Sequence, residues 1–225
     1  MKLGRYIFET GKLNGIEPHQ GNYFAYSIDE SKFGTIDAVT VVTIPMESLS
    51  VSDDEIPHHV RSFIANFESL DLLDYKARLR KALTLTKERQ LLRDDSPLTV
   101  LIFKSDGTII SNHSATRLIR IQGPQSEVIP LKSGKESRWS EGDTFLLLSE
   151  RLFDTLTAEE FVSLSGSTTT ALLPSAIFTA AHTPPSTIMS FRIAPPHPFY
   201  LQPVFFVLIT ALAMIATYYL AFYTP

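Results

Sequence analysis

Apolar residues along this chain fall into runs of different period. Short, nearly continuous runs predict strands at Tyr23 to Ile28, Ala38 to Ile44, Leu98 to Phe103, Thr108 to Ser111, Arg117 to Ile121, Phe145 to Leu148 and Thr187 to Ile193. Between the second and third of these the period becomes helical, with Val60, Phe63, Ile64, Phe67 and Leu70 on one face. Asp53, Asp54 and Glu55 stand just before, where the positive end of a helix dipole favours carboxylates, and Pro57 is tolerated in an opening turn. A second helix is expected over roughly Leu72 to Leu92, and shorter ones over Ala158 to Leu164 and Leu172 to Ala181. Ser105-Asp106-Gly107 between two strands predicts a hairpin, because Asp-Gly supplies the positive φ that a tight turn requires. The cluster Ser165 to Thr170 reads as a loop. Strands, two helices, a long run of strands, then helices and a closing strand predict an α+β sandwich with helices outside paired sheets.

The last apolar run has neither period. Val204 to Phe222 is about 19 residues without a charge, the length an α-helix needs to cross the hydrocarbon core of a bilayer. Pro203 suits its first turn, and Phe199, Tyr200, Tyr218, Tyr219 and Tyr223 stand where interfacial aromatic belts form. A core helix would carry a polar face, whereas only Thr210 and Thr217 interrupt this run. The expected organisation is a single domain over 1–193, a Pro-rich linker over 194–202 that favours a stiff, extended path, and a transmembrane helix over 203–223. A span this close to the C-terminus emerges from the ribosome only after translation ends. It implies a single-pass tail anchor in a membrane, with the N-terminal domain on the cytosolic side, where synthesis takes place.

Composition narrows the chemistry. The absence of cysteine excludes disulfides, thiolate zinc sites and cysteine nucleophiles. A net charge of −4 argues against a general nucleic-acid binder. One stretch runs against that balance: Lys76, Arg78, Arg80, Lys81, Lys87 and Arg89 on the second helix are opposed nearby mainly by Asp74 and Glu88. They form a candidate basic surface for anionic headgroups or an acidic partner. His58 and His59 project about 100° apart on a helix and cannot readily chelate one ion. His113, Ser114 and Asp106 lack the nucleophile elbow of a hydrolase triad.

A family resemblance rests on the segment Glu141-Gly142-Asp143-Thr144-Phe145-Leu146-Leu147-Leu148-Ser149-Glu150-Arg151-Leu152-Phe153-Asp154, followed by Leu156-Thr157-Ala158-Glu159-Glu160. It resembles the strand, "SDG" turn and "L-x-x-EE" helix start of the metal-dependent type 2C (PPM-type) serine/threonine phosphatases. Ala180 to Ile193 is similar to the family's closing "A-x-x-x-DD-x-T-V-L-V-V-R-V", and Asn112 to Arg117 stands where it writes "N-x-GDSR". The resemblance covers about 1–195. It implies a phosphatase 2C-like β-sandwich flanked by helices, and a pair of divalent metals held by Asp carboxylates that activate an attacking water.

The residues that the resemblance places at that centre differ from the family's. Glu17 stands where a phosphate-binding Arg is expected, and Asn22 where the first metal Asp is expected. "DG-x-GG" would begin near Thr43, but the chain continues Ile44-Pro45-Met46. "GDSR" is replaced around Ala115, "SDG" by Ser149-Glu150-Arg151, and "DD" by Pro184-Pro185. Hard cations need anionic oxygens, and Arg151 would repel them further. The expectation is therefore a pseudophosphatase with no catalytic residue, metal or cofactor, serving as an accessory or scaffold subunit that binds partner proteins of a membrane assembly. Two alternatives stand beside it. One is a divergent active phosphatase acting on membrane-proximal phosphoproteins, with a metal site rebuilt from Glu150, Asp37 and Asp29. The other is a reader of phosphorylated residues through Arg151 or Arg117.

Overall fold

The computed structural model describes residues 2–14, 24–30, 36–43, 56–90, 98–112, 116–132, 135–182, 187–195 and 203–223. The chain divides into two units, Met1–Ala194 and Pro195–Pro225.

The first unit is built on two antiparallel sheets. One holds β1 (Lys2–Leu3), β2 (Tyr6–Asn14), β11 (Thr187–Ala194), β10 (Thr144–Leu148), β7 (Arg117–Gln122) and β8 (Gln125–Ile129), in that spatial order. The other holds β3 (Phe24–Glu30), β4 (Ile36–Thr43), β5 (Thr99–Lys104), β6 (Thr108–Ser111) and β9 (Glu136–Arg138). Their inner faces meet in a core of Phe8, Val39, Val41, Leu101, Phe103, Phe145, Leu147 and Phe191. Phe103 is its hub, with ring centroids 5.1 Å from Phe8, 5.3 Å from Phe191 and 5.7 Å from Phe145.

Central strands read as continuous apolar runs because both of their faces are covered. Ala38, Val42, Val100 and Ile102 turn outward and pack on Val60, Phe63, Phe67, Leu79 and Ala82 of α1 (Ile56–Glu68) and α2 (Tyr75–Gln90). On the other sheet Leu146, Leu148 and Ile188 turn outward onto α3 (Glu150–Phe153), α4 (Ala158–Ser167) and α5 (Leu173–Ala181), through Leu152, Phe161, Leu173 and Ile177. The result is helices, sheet, sheet, helices: a four-layered α+β sandwich.

Four strands go beyond the sequence expectation. β1 and β9 are very short, and β8 buries only Ile129 fully. β2, the longest strand, turns Tyr6 and Phe8 toward the core but places Gly11 rather than an apolar side chain at a buried position on its other face, so that face carries little hydrophobic signal. The predicted loop over Ser165 to Thr170 also needs correction. Residues 165–167 complete α4, and Ser167 satisfies its hydroxyl by donating to the Ser163 carbonyl at 2.9 Å. The second helix begins at Tyr75 rather than Leu72.

The second unit contains α6 (Pro203–Tyr223), 21 residues without a charged side chain. Among the described residues no helix is long and apolar enough to cross a membrane. Side chains of α6 are described over 207–218, a shorter stretch than the roughly 20 residues of a span. Within it Val207, Leu212, Met214 and Ile215 are 63–67 % exposed.

Candidate functional site

The "GD" and "EE" of the resembled motif serve the backbone. Gly142 adopts φ 88° at the turn into β10, and its N–H donates to the Ile193 carbonyl at 2.7 Å. Asp143 is fully buried; its Oδ2 accepts from Arg120 Nε at 2.8 Å and from the Ser140 N–H at 2.7 Å, tying the turn to β7. Glu160 and Thr157 form a reciprocal cap on α4. The Thr157 N–H reaches the Glu160 carboxylate at 2.7 Å, and this bond, helped by the Thr157 hydroxyl, holds that carboxyl below its ordinary range.

The described positions that the resemblance ties to metal chemistry gather at one end of the sandwich. Antiparallel register puts Thr43, the last residue of β4, opposite Thr99, the first of β5. Across the sandwich Leu148 ends β10 beside Arg117, the first residue of β7. The hydroxyl oxygens of Thr99 and Thr116 lie 3.2 Å apart and bridge the two strand ends. Asn112, just beyond β6, accepts from the Val100 N–H at 2.8 Å and donates to the Leu98 carbonyl at 2.6 Å, so both functions of its amide are used. Ser149 caps α3 by accepting from the Leu152 N–H. Thr43, Thr99, Asn112, Thr116 and Ser149 are all buried.

Glu150 is the one described carboxylate among the residues that the sequence places at this end, and its partner is a cation of the chain itself, Arg117. Neutral hydroxyls, a fully bonded amide and one paired carboxylate do not fit a two-metal centre, which needs several anionic oxygens per ion. Among the described residues no group of three or more Asp, Glu or His side chains is placed to hold a metal ion. Glu17, Asn22, Ala115, Pro184 and Pro185, like His113 and Ser114, lie outside the described residues. Arg151 belongs to α3, with its side chain outside the described structure.

Two sequence readings are corrected by geometry. A rebuilt site of Glu150, Asp37 and Asp29 does not assemble, because Asp37 is the second residue of β4 while Thr43 closes it. They are six residues apart, about 20 Å of strand. Asp29 pairs with Ala38 at the same far end. The basic surface also loses a member. Arg78 is buried, its Nε donating to the Phe67 carbonyl at 2.8 Å, one terminal nitrogen bound to Asp29 at 2.9 Å, and its guanidinium 4.2 Å from the Phe67 ring centroid. Lys76 pairs with Glu136 at 3.1 Å. Arg80 and Lys81 are exposed and Lys87 is half-buried, while the side chain of Arg89 lies outside the described structure.

The far end carries a feature that periodicity did not reveal, a groove of about 580 Å³ beside Asp29, Tyr75 and Arg78. Burial, and after it the charge of Asp29, pushes the Tyr75 hydroxyl up to about 12.

With this geometry in view, comparison with known proteins gives the fold. The sequence matches no known protein family and no curated protein. Among solved structures, a bacterial serine phosphatase superposes with TM-score 0.60 at 12% identity, covering 86% of this chain and 99% of that one. PppA, described as a key regulatory component of T6SS in Pseudomonas aeruginosa, gives 0.56 at 16% identity, covering 85% of this chain and 99% of its own. The catalytic domain of the serine/threonine phosphatase PstP, solved with two manganese ions, gives 0.54 at 9% identity, covering 84% and 98%. The first unit therefore has the fold of PPM-type serine/threonine phosphatase domains, as the resemblance implied.

Proposed function

We propose that this chain is a membrane-anchored pseudophosphatase, an accessory or scaffold subunit that binds partner proteins at a membrane assembly rather than hydrolysing phosphate esters. One observation carries the reading. At the end where the resemblance expects metal ligands, the described residues offer hydroxyls, an amide bonded on both sides, and a Glu150 already neutralised by Arg117. The remaining positions where the family carries a metal-binding Asp, Asn22, Ala115, Pro184 and Pro185, bring no carboxylate by sequence. A metal-bound hydroxide cannot form without that charge. The fold is compatible with a regulatory role, since PppA shares it.

The anchor rests on the sequence alone, where Val204 to Phe222 is about 19 residues without a charge; among the described residues no helix is long and apolar enough to cross a membrane. Linker prolines 195, 196 and 198 favour a short tether that keeps the domain near the lipid surface. A phosphoresidue reader acting through Arg117 would have to break its pairing with Glu150, and the side chain of Arg151, the other arginine for that role, lies outside the described structure.

The decisive measurement uses the full chain purified in mild detergent with a phosphorylated peptide and Mn²⁺ or Mg²⁺. No turnover above a heat-killed control is expected, and calorimetric titration with Mn²⁺ should give no saturable heat. Metal-dependent turnover would overturn the catalytic part of the reading. For the anchor, the chain should stay with the membrane pellet after an alkaline carbonate wash. Release into the supernatant would overturn it.

A further inference from the structure

Against the sheet, α1 buries Val60, Phe63 and Phe67, and α2 buries Leu79 and Ala82. Their opposite sides carry Arg61, Ala65 and Glu68 on one helix and Arg80, Thr84 and Lys87 on the other, at the same helical spacing, with Lys81 beside Arg80. Arg61, Arg80 and Lys81 are exposed, and among the described residues none of the three has a carboxylate partner. Arg80 turns its Nε to the Lys76 carbonyl of its own helix at 3.4 Å. Lys76 itself is committed to Glu136, and Arg78 is buried. The described side chains of α1 and α2 thus leave Arg61, Arg80, Lys81 and Lys87 on the outward face against Glu68 and Glu88, on a chain whose net charge is −4.

The shape of this face selects among anionic ligands. None of its cations lines the grooves of about 580 Å³ and 490 Å³ found elsewhere on the first unit. Among the described residues of α1 and α2 no large apolar side chain is exposed, so a docked protein would find neither a pocket nor the buried anchor that carries binding energy at protein interfaces. Charges on long flexible stems, spread over two neighbouring helices, suit an extended layer of phosphates. There each cation adds attraction without a fixed geometry.

We propose that the outward face of α1 and α2 docks the first unit on a bilayer containing anionic phospholipid, with Arg61, Arg80 and Lys81 against the headgroup phosphates. The inference rests on the anchor proposed above, which brings the domain within reach of lipid, and is independent of whether the chain hydrolyses phosphate esters.

The chain has no cysteine, so Thr84→Cys, on the exposed side of α2, takes a single environment-sensitive fluorophore. The labelled full chain is placed in nanodiscs of phosphatidylcholine alone or with about one-third phosphatidylglycerol. Emission should shift to the blue in the anionic discs. The shift should vanish in about 1 M KCl, where the screening length falls to about 3 Å, and in a variant combining Arg80→Glu with Lys81→Glu. Both residues are exposed, so the thermal midpoint of that variant should match the parent chain, and Arg80→Gln with Lys81→Gln should weaken the shift as well. The proposal is overturned by equal emission in the two kinds of disc, by an unchanged shift in the charge-reversed variant, or by a response to a soluble polyglutamate peptide without one to phosphatidylglycerol, which would make the face a protein site. A chain that does not enter the discs overturns the anchor instead, and the same label then reads docking on vesicles of the two compositions, with the same outcomes deciding.

Discussion

Thr99 and Thr116 face each other from the two sheets of the sandwich, hydroxyl oxygens 3.2 Å apart, at the end where the resemblance expects carboxylates and metal. This is an uncharged hydrogen bond in a buried setting, where a lost partner is costly. Thr99→Val keeps the shape and removes that bond. Urea unfolding should report a loss of about 1 kcal/mol, and the loss should be the same with EDTA as with Mn²⁺.

Gly11 tests how closely the loop before α5 approaches the sheet. A Cβ at this position would lie 2.0 Å from the Thr170 carbonyl oxygen and 2.6 Å from Ser190 Oγ, which itself donates to that carbonyl at 2.6 Å. Backbone cannot yield as a flexible side-chain end would. Gly11→Ala should cost about 2–3 kcal/mol, seen as a lower thermal midpoint, whereas Gly166→Ala in α4, whose Cβ would meet nothing within 4 Å, should show no such cost.

Arg78 and Asp29 test a largely buried ion pair. Arg78→Met removes the guanidinium that satisfies both Asp29 and the Phe67 carbonyl, and leaves a carboxylate uncompensated. A loss of about 3 kcal/mol is expected by chemical denaturation. Adding Asp29→Asn to that variant should recover part of it, because the stranded charge is gone.

Tyr75 supplies a pH dependence. Its hydroxyl is raised from about 10 in the unfolded chain to about 12 in the folded one, so between these values the native state holds a proton that the unfolded state has released. Stability is unaffected by this group below about pH 10 and falls as pH rises toward about 12. Tyr75→Phe should flatten the slope of unfolding free energy across that window relative to the parent chain, measured by urea titration at a series of alkaline pH values.

Much of the fold is legible along the chain because the central strands are covered on both faces. Val39 and Val41 enter one core while Ala38 and Val42 enter another, so from Ala38 to Val42 β4 reads as an apolar run interrupted only by Thr40. β5 and β10 follow the same rule. Edge strands escape detection for the complementary reason: β8 and β9 are largely solvated, and their place is fixed by pairing with β7 and β6. The start of α4 was legible in Leu156-Thr157-Ala158-Glu159-Glu160, and the structure adds the reciprocal cap of Thr157 and Glu160, a local interaction three residues long.

By itself the sequence determined the alternation of sheets and helices, the uncharged C-terminal helix and the shortage of carboxylates at the family's metal positions, because each depends on residues near one another in the chain. Only the tertiary structure decided which charges meet. It withdrew Arg78 from the basic surface by setting it on Phe67 against Asp29, forty-nine residues earlier, and it joined Arg117 to Glu150. It also separated Asp29 and Asp37 from Glu150 by the length of a strand and gathered them with Glu68 and Asp71 around one groove. Coulomb interactions depend on distance through space, and the strand register that sets those distances is a property of the assembled sheets.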